Sequence, residues 1–458
     1  MRLASAQGRW LVAAMVLGSG IVFLDGSIVS LALPAIDREL DAGVAGLQWV
    51  VNGYTLMLAG LILVGGSLGD SWGRRRVFVV GTMLFATASV LCALAWSADV
   101  LVLARALQGI GGALLTPGSL AIITASIHPD DRGKAIGLWS GLSGVTTAIG
   151  PLLGGWLVDA VGWRSVFWVN VPLAVVVVAI TLRHVPESRG GVSRLDLAGA
   201  ALTIVSLSAL TFGFVDQNWW LVGVGVIVLM VFVWHQVRAP APLVPMTLFA
   251  DRVFAAANLS TFAIYAALSG SMFLLVLHLQ YVAGYTPLRA GLATLPVTIL
   301  MLLFSATAGE IGSRIGPRLP MTVGPLVAAC GLLLYLRIGR DADLLTEVLP
   351  GTVVFGVGLT TLVAPLTTAV LASAPPDQTG IASGINNAVS RTAGLLAVAA
   401  IPPLVGIAGP DFARPEVFAP GFRAGIVVCA GLLVAGAMVS AALVRTPGRA
   451  DRVQPGEE

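Results

Sequence analysis

Charge is what this sequence has least of. Only 11% of its 458 residues are Asp, Glu, Lys or Arg, against roughly 25% in a soluble domain. With 57% hydrophobic residues, most of the chain must face lipid or other apolar helices. Lysine is nearly missing: Lys134 stands alone and is followed by Ala135. A phosphate-cradling loop needs Gly-Lys-Ser or Gly-Lys-Thr, so this chain cannot hydrolyse ATP through a Walker site. Cysteine is scarce too. Cys92, Cys330 and Cys429 are odd in number and each lies in an apolar stretch, so no disulfide framework is implied and they read as small core residues. The four histidines are scattered; neither a metal site nor another cofactor suggests itself. A formal charge of +3 gives no reason to expect nucleic acid as a partner.

What fills the chain instead is apolar runs of about 20 residues, the length a helix needs to cross a bilayer. A barrel would show short alternating segments. The expected class is therefore an all-α membrane protein. Fourteen spans can be read, at 9–33, 47–69, 76–97, 100–126, 135–158, 164–182, 195–214, 219–237, 253–281, 288–309, 319–337, 344–372, 383–407 and 421–444. The first is not a cleaved signal: it is too long for one and contains Asp25. With the N-terminus placed inside, seventeen basic residues fall in cytoplasmic segments and seven in outer ones, with Arg105 and Arg391 left inside helices. That bias predicts both termini in the cytoplasm. Trp10, Trp49, Trp96, Trp163, Trp219, Trp220 and Trp234 fall near span ends, where interfacial anchors belong.

Gly66-Ser-Leu-Gly69-Asp70-Ser-Trp-Gly73-Arg74-Arg75 follows the second span, and Gly309-Glu-Ile-Gly312-Ser313-Arg-Ile-Gly316-Pro317-Arg318 follows the tenth. The matched positions predict two related halves. Residues 1–182 are expected to form the first six-helix bundle. Residues 183–252 would be a linker with two inserted helices, 253–444 the second six-helix bundle, and 445–458 a cytoplasmic tail.

Ionisable groups within membrane spans are costly and are functional candidates by default. Asp25 lies roughly 13 Å below the outer end of its helix and Arg105 roughly 7 Å deep in its own, at about 1.5 Å per residue. The two could meet in the outer half of the first bundle. The structural alternative is that Arg105 snorkels to the surface and Asp25 caps a broken helix. Arg391 sits near Asn386 and Asn387, either lining a central cavity or holding a hydrogen-bonded knot. Tyr54 and Gln108 are further cavity candidates. Asp70 with Arg74 and Arg75 forms a tight charged turn, whose glycines allow close backbone approach. It could serve as a topogenic signal, as a conformational gate, or as both. Gly150-Pro151-Leu-Leu-Gly154-Gly155 predicts a bent, closely packed helix.

Here the motifs combine. Gly66-x-Leu-Gly-Asp70-x-x-Gly73-Arg-Arg resembles motif A of the major facilitator superfamily. Arg105-x-x-Gln108-Gly-x-Gly-Gly resembles motif B. Gly150-Pro151-x-x-Gly154-Gly155 resembles motif C, the antiporter signature. Leu24-Asp25-x-Ser27-Ile-Val-x-x-Ala-Leu-Pro34, Trp163-Arg164-x-x-Phe167-x-x-Asn170-x-Pro172 and Gly380-Ile-Ala-Ser-Gly-x-Asn-Asn-x-x-x-Arg391 resemble the fourteen-spanner drug:proton antiporters of the EmrB/QacA type. Ser27 and Ser30 stand where that family usually has Thr and Asn. The resemblance implies the major facilitator fold, with alternating access between two six-helix bundles. It implies multidrug or metabolite efflux across the cytoplasmic membrane in exchange for protons, by a transporter rather than an enzyme. Asp25 and Arg105 would couple the proton, and Asp70 would cap the start of the thirteenth helix near Gly380 when the cytoplasmic side closes. The partners expected are a small-molecule substrate, protons and membrane lipid, with the chain a monomer. A lipid-like cargo, or symport on the same fold, are the rival readings.

Overall fold

A computed structural model describes residues 1–190, 195–375, 378–409 and 412–444. The expected tail, 445–458, lies outside the described residues, as does 191–194 of the linker. The described residues are helical almost throughout. In chain order the long helices are α1 (Ala6–Leu40), α2 (Gly43–Trp72), α3 (Arg74–Ala93), α4 (Ala98–Ser126), α5 (Pro129–Ala160), α6 (Ser165–His184) and α7 (Leu197–Val215). They continue as α8 (Trp219–Arg238), α9 (Arg252–Tyr281), α10 (Pro287–Ile315), α11 (Arg318–Arg337), α12 (Leu344–Ala372), α13 (Thr379–Leu404) and α14 (Pro415–Leu443). Among the described residues twelve helices are long and apolar enough to cross a membrane. The other two, α5 and α13, have the length, at 32 and 26 residues, but are not among those twelve.

Local sequence sets the helix ends. Ser5, Ser97 and Thr286 accept from the backbone N–H of Gly8, Val100 and Arg289, and Asp251 accepts from Val253 and Phe254. These side chains satisfy first-turn donors that would otherwise lack partners. At the two repeated turns α2 and α10 stop at glycines with positive φ, +115° at Gly73 and +89° at Gly316, each N–H returning to a carbonyl four residues back, on Gly69 and Gly312. The internal repeat is thus a repeat of backbone shape.

Helices α1–α6 pack on one another, and so do α9–α14. The two groups meet mainly along α5 against α10 and α2 against α13. The α7–α8 hairpin lies outside both groups. Its α7 packs on α2 and α13, and α8 packs mainly on α7.

The seam is closed at one end only. Far from the repeated turns, the Gln48 amide donates to the carbonyls of Val398 (2.6 Å) and Ala399 (3.1 Å). There Tyr281 donates to Asp37 (2.8 Å), Gln280 to the Leu31 carbonyl (3.1 Å), and the Leu288 N–H to Asp159 (3.0 Å). A Cβ on Gly155 would stand 2.6 Å from the Leu288 Cα, and one on Gly291 would stand 2.3 Å from the Pro151 carbonyl oxygen. At the end that carries the repeated turns, a Cβ on Gly137, Gly141 or Gly380 would meet nothing within 4 Å, and Leu138, Leu142, Leu302, Leu303 and Phe304 are exposed.

One expectation is corrected. Cys92 and Cys429 are buried, but Cys330 is exposed. In a membrane helix the lipid-facing and core-facing sides are equally apolar, so hydrophobicity alone does not reveal which face a residue occupies.

Because backbone atoms stand where a side chain at 155 would go, Gly155→Leu should prise α5 from α10 at the closed end. Spin labels at Val161 and Thr286 report it by double electron–electron resonance. The parent should give one short distance, and the variant a longer or broader distribution.

Candidate functional site

Four of the first six helices send hydrogen-bonding side chains to one buried point, and α2 adds a backbone carbonyl and an aromatic ring. Asp25 of α1 is 0% exposed and Arg105 of α4 is 2% exposed, and their Oδ2 and Nη1 are 2.6 Å apart. One helical turn along α4, Gln108 donates through Nε2 to Asp25 Oδ1 (2.8 Å) and accepts from Arg105 Nη1 (2.5 Å). Asn170 of α6 donates to the same Oδ1 at 3.0 Å. Ser89 of α3 accepts from Gln108 (2.9 Å) and from Asn170 (3.3 Å). The Arg105 Nε donates to the Val50 carbonyl of α2 at 3.0 Å, and the guanidinium lies 4.4 Å from the Tyr54 ring centroid.

The i,i+3 spacing of Arg105 and Gln108 puts both on one face of α4, and Gly111 and Gly112 follow on that helix. A Cβ at Gly111 would stand 2.6 Å from the Phe85 nitrogen of α3, so glycine lets α3 approach and deliver Ser89. Three donors on one carboxylate suit its ionised form. Removing either charge would strand the other in a dry interior, where an unpaired ion costs several kcal/mol. A proton delivered to Asp25 would break the pair and leave the Arg105 cation to find other partners, so the protonation of Asp25 and the position of Arg105 are coupled.

The other expected residues divide. Tyr54 and Gln108, expected at a cavity, are buried in this conformation, at 4% and 0% exposure. Asn386 donates to Asn258 (3.2 Å) and Thr261 (2.8 Å) of α9, whereas Asn387 is exposed. Arg391 stands 6.0 Å from the Phe23 ring centroid of α1, across the seam. On α5, a Cβ at Gly150 would overlap Ser27 Oγ, and one at Gly154 would be 3.0 Å from the Ile28 Cα. Those two glycines seat α5 on α1, while Gly155 faces α10.

At the charged turn, Asp70 accepts from Arg74 at 2.7 and 2.9 Å. The partners that Asp70 has among the described residues all belong to the first half and the segment after α6. That segment is clamped over the turn. The Gly190 N–H donates to the Asp70 carbonyl (3.0 Å), the Arg74 N–H to the Ser188 carbonyl (2.9 Å), and the Arg75 N–H to Glu187 (3.0 Å). A Cβ on Gly73 would lie 2.8 Å from the Glu187 carboxylate. Gly66 packs toward Pro117 of α4.

A profile of the Major Facilitator Superfamily matches residues 15–398. The chain belongs to the major facilitator superfamily. Within the superfamily it is 37% identical over 384 residues to "Multidrug resistance protein Stp" of Mycobacterium tuberculosis strain CDC 1551, covering 81% of this chain and 71% of that one. It is 35% identical over 415 residues to the "Probable actinorhodin transporter" of Streptomyces coelicolor, covering 86% and 72%. It is 32% identical over 399 residues to the "Tetracenomycin C resistance and export protein" of Streptomyces glaucescens, covering 85% and 74%. The fold is also similar to solved major facilitator structures. A D-xylose–proton symporter superposes with a TM-score of 0.69 at 16% identity, covering 96% of this chain and 98% of that one. A bacterial homologue of the lysosomal transporter Spinster, solved inward-facing, gives 0.68 at 18% identity, covering 96% and 97%.

Three residues of the site were not singled out in the sequence. Asn170 sits inside the Trp163–Pro172 motif and could have been found as a polar residue within an apolar run. Ser89 and Glu187 carry no such signal: a lone serine is ordinary in a membrane helix, and Glu187 lies in a loop.

The network predicts non-additivity. Arg105→Ala leaves the Asp25 carboxylate uncompensated and should cost about 3–5 kcal/mol. Combining it with Asp25→Asn should recover more than half of that loss. Thermal unfolding of the two variants in detergent measures the difference, and equal losses would refute the coupling.

Proposed function

We propose that this protein is a proton-coupled exporter of small organic molecules, working by alternating access in the cytoplasmic membrane. In this reading the chain spans the membrane fourteen times, α5 and α13 adding to the twelve apolar helices. Residues 1–182 and 253–444 are the two moving bundles, 183–252 holds the inserted hairpin, and both termini are cytoplasmic. The proton motive force drives transport with no cofactor, and the working unit is the monomer. The outer end is then the closed one, and this conformation is open to the cytoplasm.

The observation that carries the reading is the buried Asp25–Arg105 pair. In this reading the present conformation, in which Asp25 accepts from Arg105, Gln108 and Asn170, is the proton-released state. Rearrangement of the first bundle toward the outward-open state would draw Arg105 away. A proton from outside would then neutralise the carboxylate, since leaving it bare would cost several kcal/mol. Return to the present arrangement would expel that proton inward. The names borne by the relatives, resistance and export proteins, support outward movement of the organic cargo, and the glycine packing of α5 matches the antiporter signature.

The gate follows from helix geometry. Leu63 of α2 already lies against Gly384 of α13, and Asp70 stands two turns further along α2. Closing the cytoplasmic end would carry Asp70 toward the α13 N-terminus. A carboxylate there contributes about 0.3–1 kcal/mol, up to ~2 when partly buried, enough to bias two near-equal states. Asp70→Asn should cut transport at least tenfold at unchanged membrane abundance, as measured by efflux assays with quantitative blotting. Full transport by that variant would remove Asp70 from the gate.

The function itself is tested first by a drug-susceptibility panel in an efflux-deficient host, with and without a protonophore. A compound found there is then added to proteoliposomes holding a pH-sensitive dye. Antiport releases protons on substrate addition, whereas symport takes them up. Asp25→Asn should abolish the release, and Asp25→Glu should keep part of it. Normal release by Asp25→Asn would place the coupling elsewhere.

A further inference from the structure

Charged side chains deep in the helices are few, and their pairing bears on what the protein can carry. Asp25 and Arg105 cancel each other, and Asp25 presents no exposed surface and has both oxygens bonded. It offers nothing to a cationic drug in this conformation. The remaining deep charge near the seam is Arg391, twelve residues into α13. Its Nε is buried without a hydrogen-bond partner. No acidic residue occurs anywhere in α9 or α13. The acids of α2 and α10, Asp70 and Glu310, lie at the open end and are paired with Arg74 and Arg314. Those of α5 and the remaining acids of α1 also lie near helix ends.

Aromatic side chains of three helices stand on the same side of the molecule as this guanidinium. Phe23 of α1 is 6.0 Å away, at the edge of useful cation–π attraction. Tyr54 of α2 and Tyr265 of α9 are near enough to feel its charge. The adjacent turn of α13 presents the exposed Asn387 amide. A cation at membrane depth without a counter-charge invites one, and aromatic walls favour a flat ring system beside it.

We propose that the transported compounds are aromatic organic acids, carrying a carboxylate or an ionised phenol that pairs with Arg391 while their rings lie along Phe23 and Tyr265. This rests on the exporter reading above but concerns binding alone. It reverses the sign expected if a cationic substrate competed for Asp25.

The test uses the full chain in nanodiscs of zwitterionic lipid, with no proton gradient, titrated with fluorescein as the aromatic anion and ethidium as the aromatic cation. Fluorescence anisotropy should show fluorescein binding at least tenfold tighter than ethidium. Arg391→Gln should weaken fluorescein at least tenfold and leave ethidium unchanged, and Arg391→Lys should restore part of the loss. The circular dichroism spectrum and elution volume of each variant should match the parent. Ethidium binding as tightly as fluorescein, no binding of either probe, or fluorescein affinity indifferent to both Arg391 variants would overturn the proposal. Because binding is read at equilibrium without a gradient, anion binding that persists in a protein unable to exchange protons would refute the coupling reading and leave this one standing.

Discussion

The buried ion pair between Asp25 and Arg105 is the constraint around which the first half is built. Neither charge could sit in a dry helix bundle alone. Their 2.6 Å contact therefore fixes the rotation of α1 against α4. Gln108, Ser89 and Asn170 then complete the bonding from α4, α3 and α6, and the Val50 carbonyl recruits α2. Among the described residues, α5 supplies none of these bonds. It is held on α1 by glycines instead, which leaves it free to carry the seam with α10. Among the described residues the second half has no buried ion pair: Glu310–Arg314 and Arg340–Glu416 are exposed, and its buried polar contacts, such as Asn386 with Asn258 and Thr261, are between neutral groups. The buried ion pair therefore belongs to the first half alone among the described residues.

The same division appears at the repeated turns. Gly73 and Gly316 impose the same positive-φ stop. Asp70 pairs with Arg74 in the first turn, and Glu310 pairs with Arg314 in the second, both across one helical turn. The acid sits four residues before the arginine each time, but at different points of the motif. Asp70 is three residues before its glycine, where the second repeat has Ser313, and Glu310 is six before. Among the described residues the first turn is roofed by Glu187, Ser188 and Gly190, whereas at the second Arg318 donates to the Ala441 carbonyl of α14. Two backbones of one shape thus carry different electrostatics.

Much of this could be read in advance, for physical reasons. The length and polarity of the runs mark the helices, because lipid leaves the backbone no partner but itself. Asp25 and Arg105 stand out because a charge in an apolar run is rare, and the rise per residue was enough to place them within reach. The glycine motifs forecast close packing but not the partner: Gly154 meets α1 while its neighbour Gly155 meets α10. Cavity residues were the least legible. Tyr54 and Gln108 turn inward while Asn387 is exposed, and in a span with no amphipathic contrast the sequence does not mark which face looks at lipid, at a neighbour or at open space. The Glu187 clamp was hidden for a different reason, since it depends on a loop folding back over a turn more than a hundred residues away in the chain.

The α7–α8 hairpin packs along the seam through apolar side chains. Trp49 of α2 packs on Phe212 of α7 with centroids 4.1 Å apart. Leu56 and Ala59 of α2, Leu207 of α7 and Leu395 of α13 form one small cluster. Trp49 lies in the half of α2 nearer the closed end and Leu56 and Ala59 at its middle, and α7 touches both sides of the seam there. Rigid clamping of both helices would forbid alternating access. A contact of small and branched apolar side chains is non-directional and can slide as α2 and α13 part. It keeps the apolar flank of the seam covered during that movement, whereas a hydrogen bond across the same line would have to break. The polar bonds that cross the seam among the described residues, from Gln48, Gln280, Tyr281 and the Leu288 N–H, are gathered at the closed end. They hold one state and must be surrendered in the other, so the opening cost is concentrated there while α7 supplies a nearly neutral hinge line.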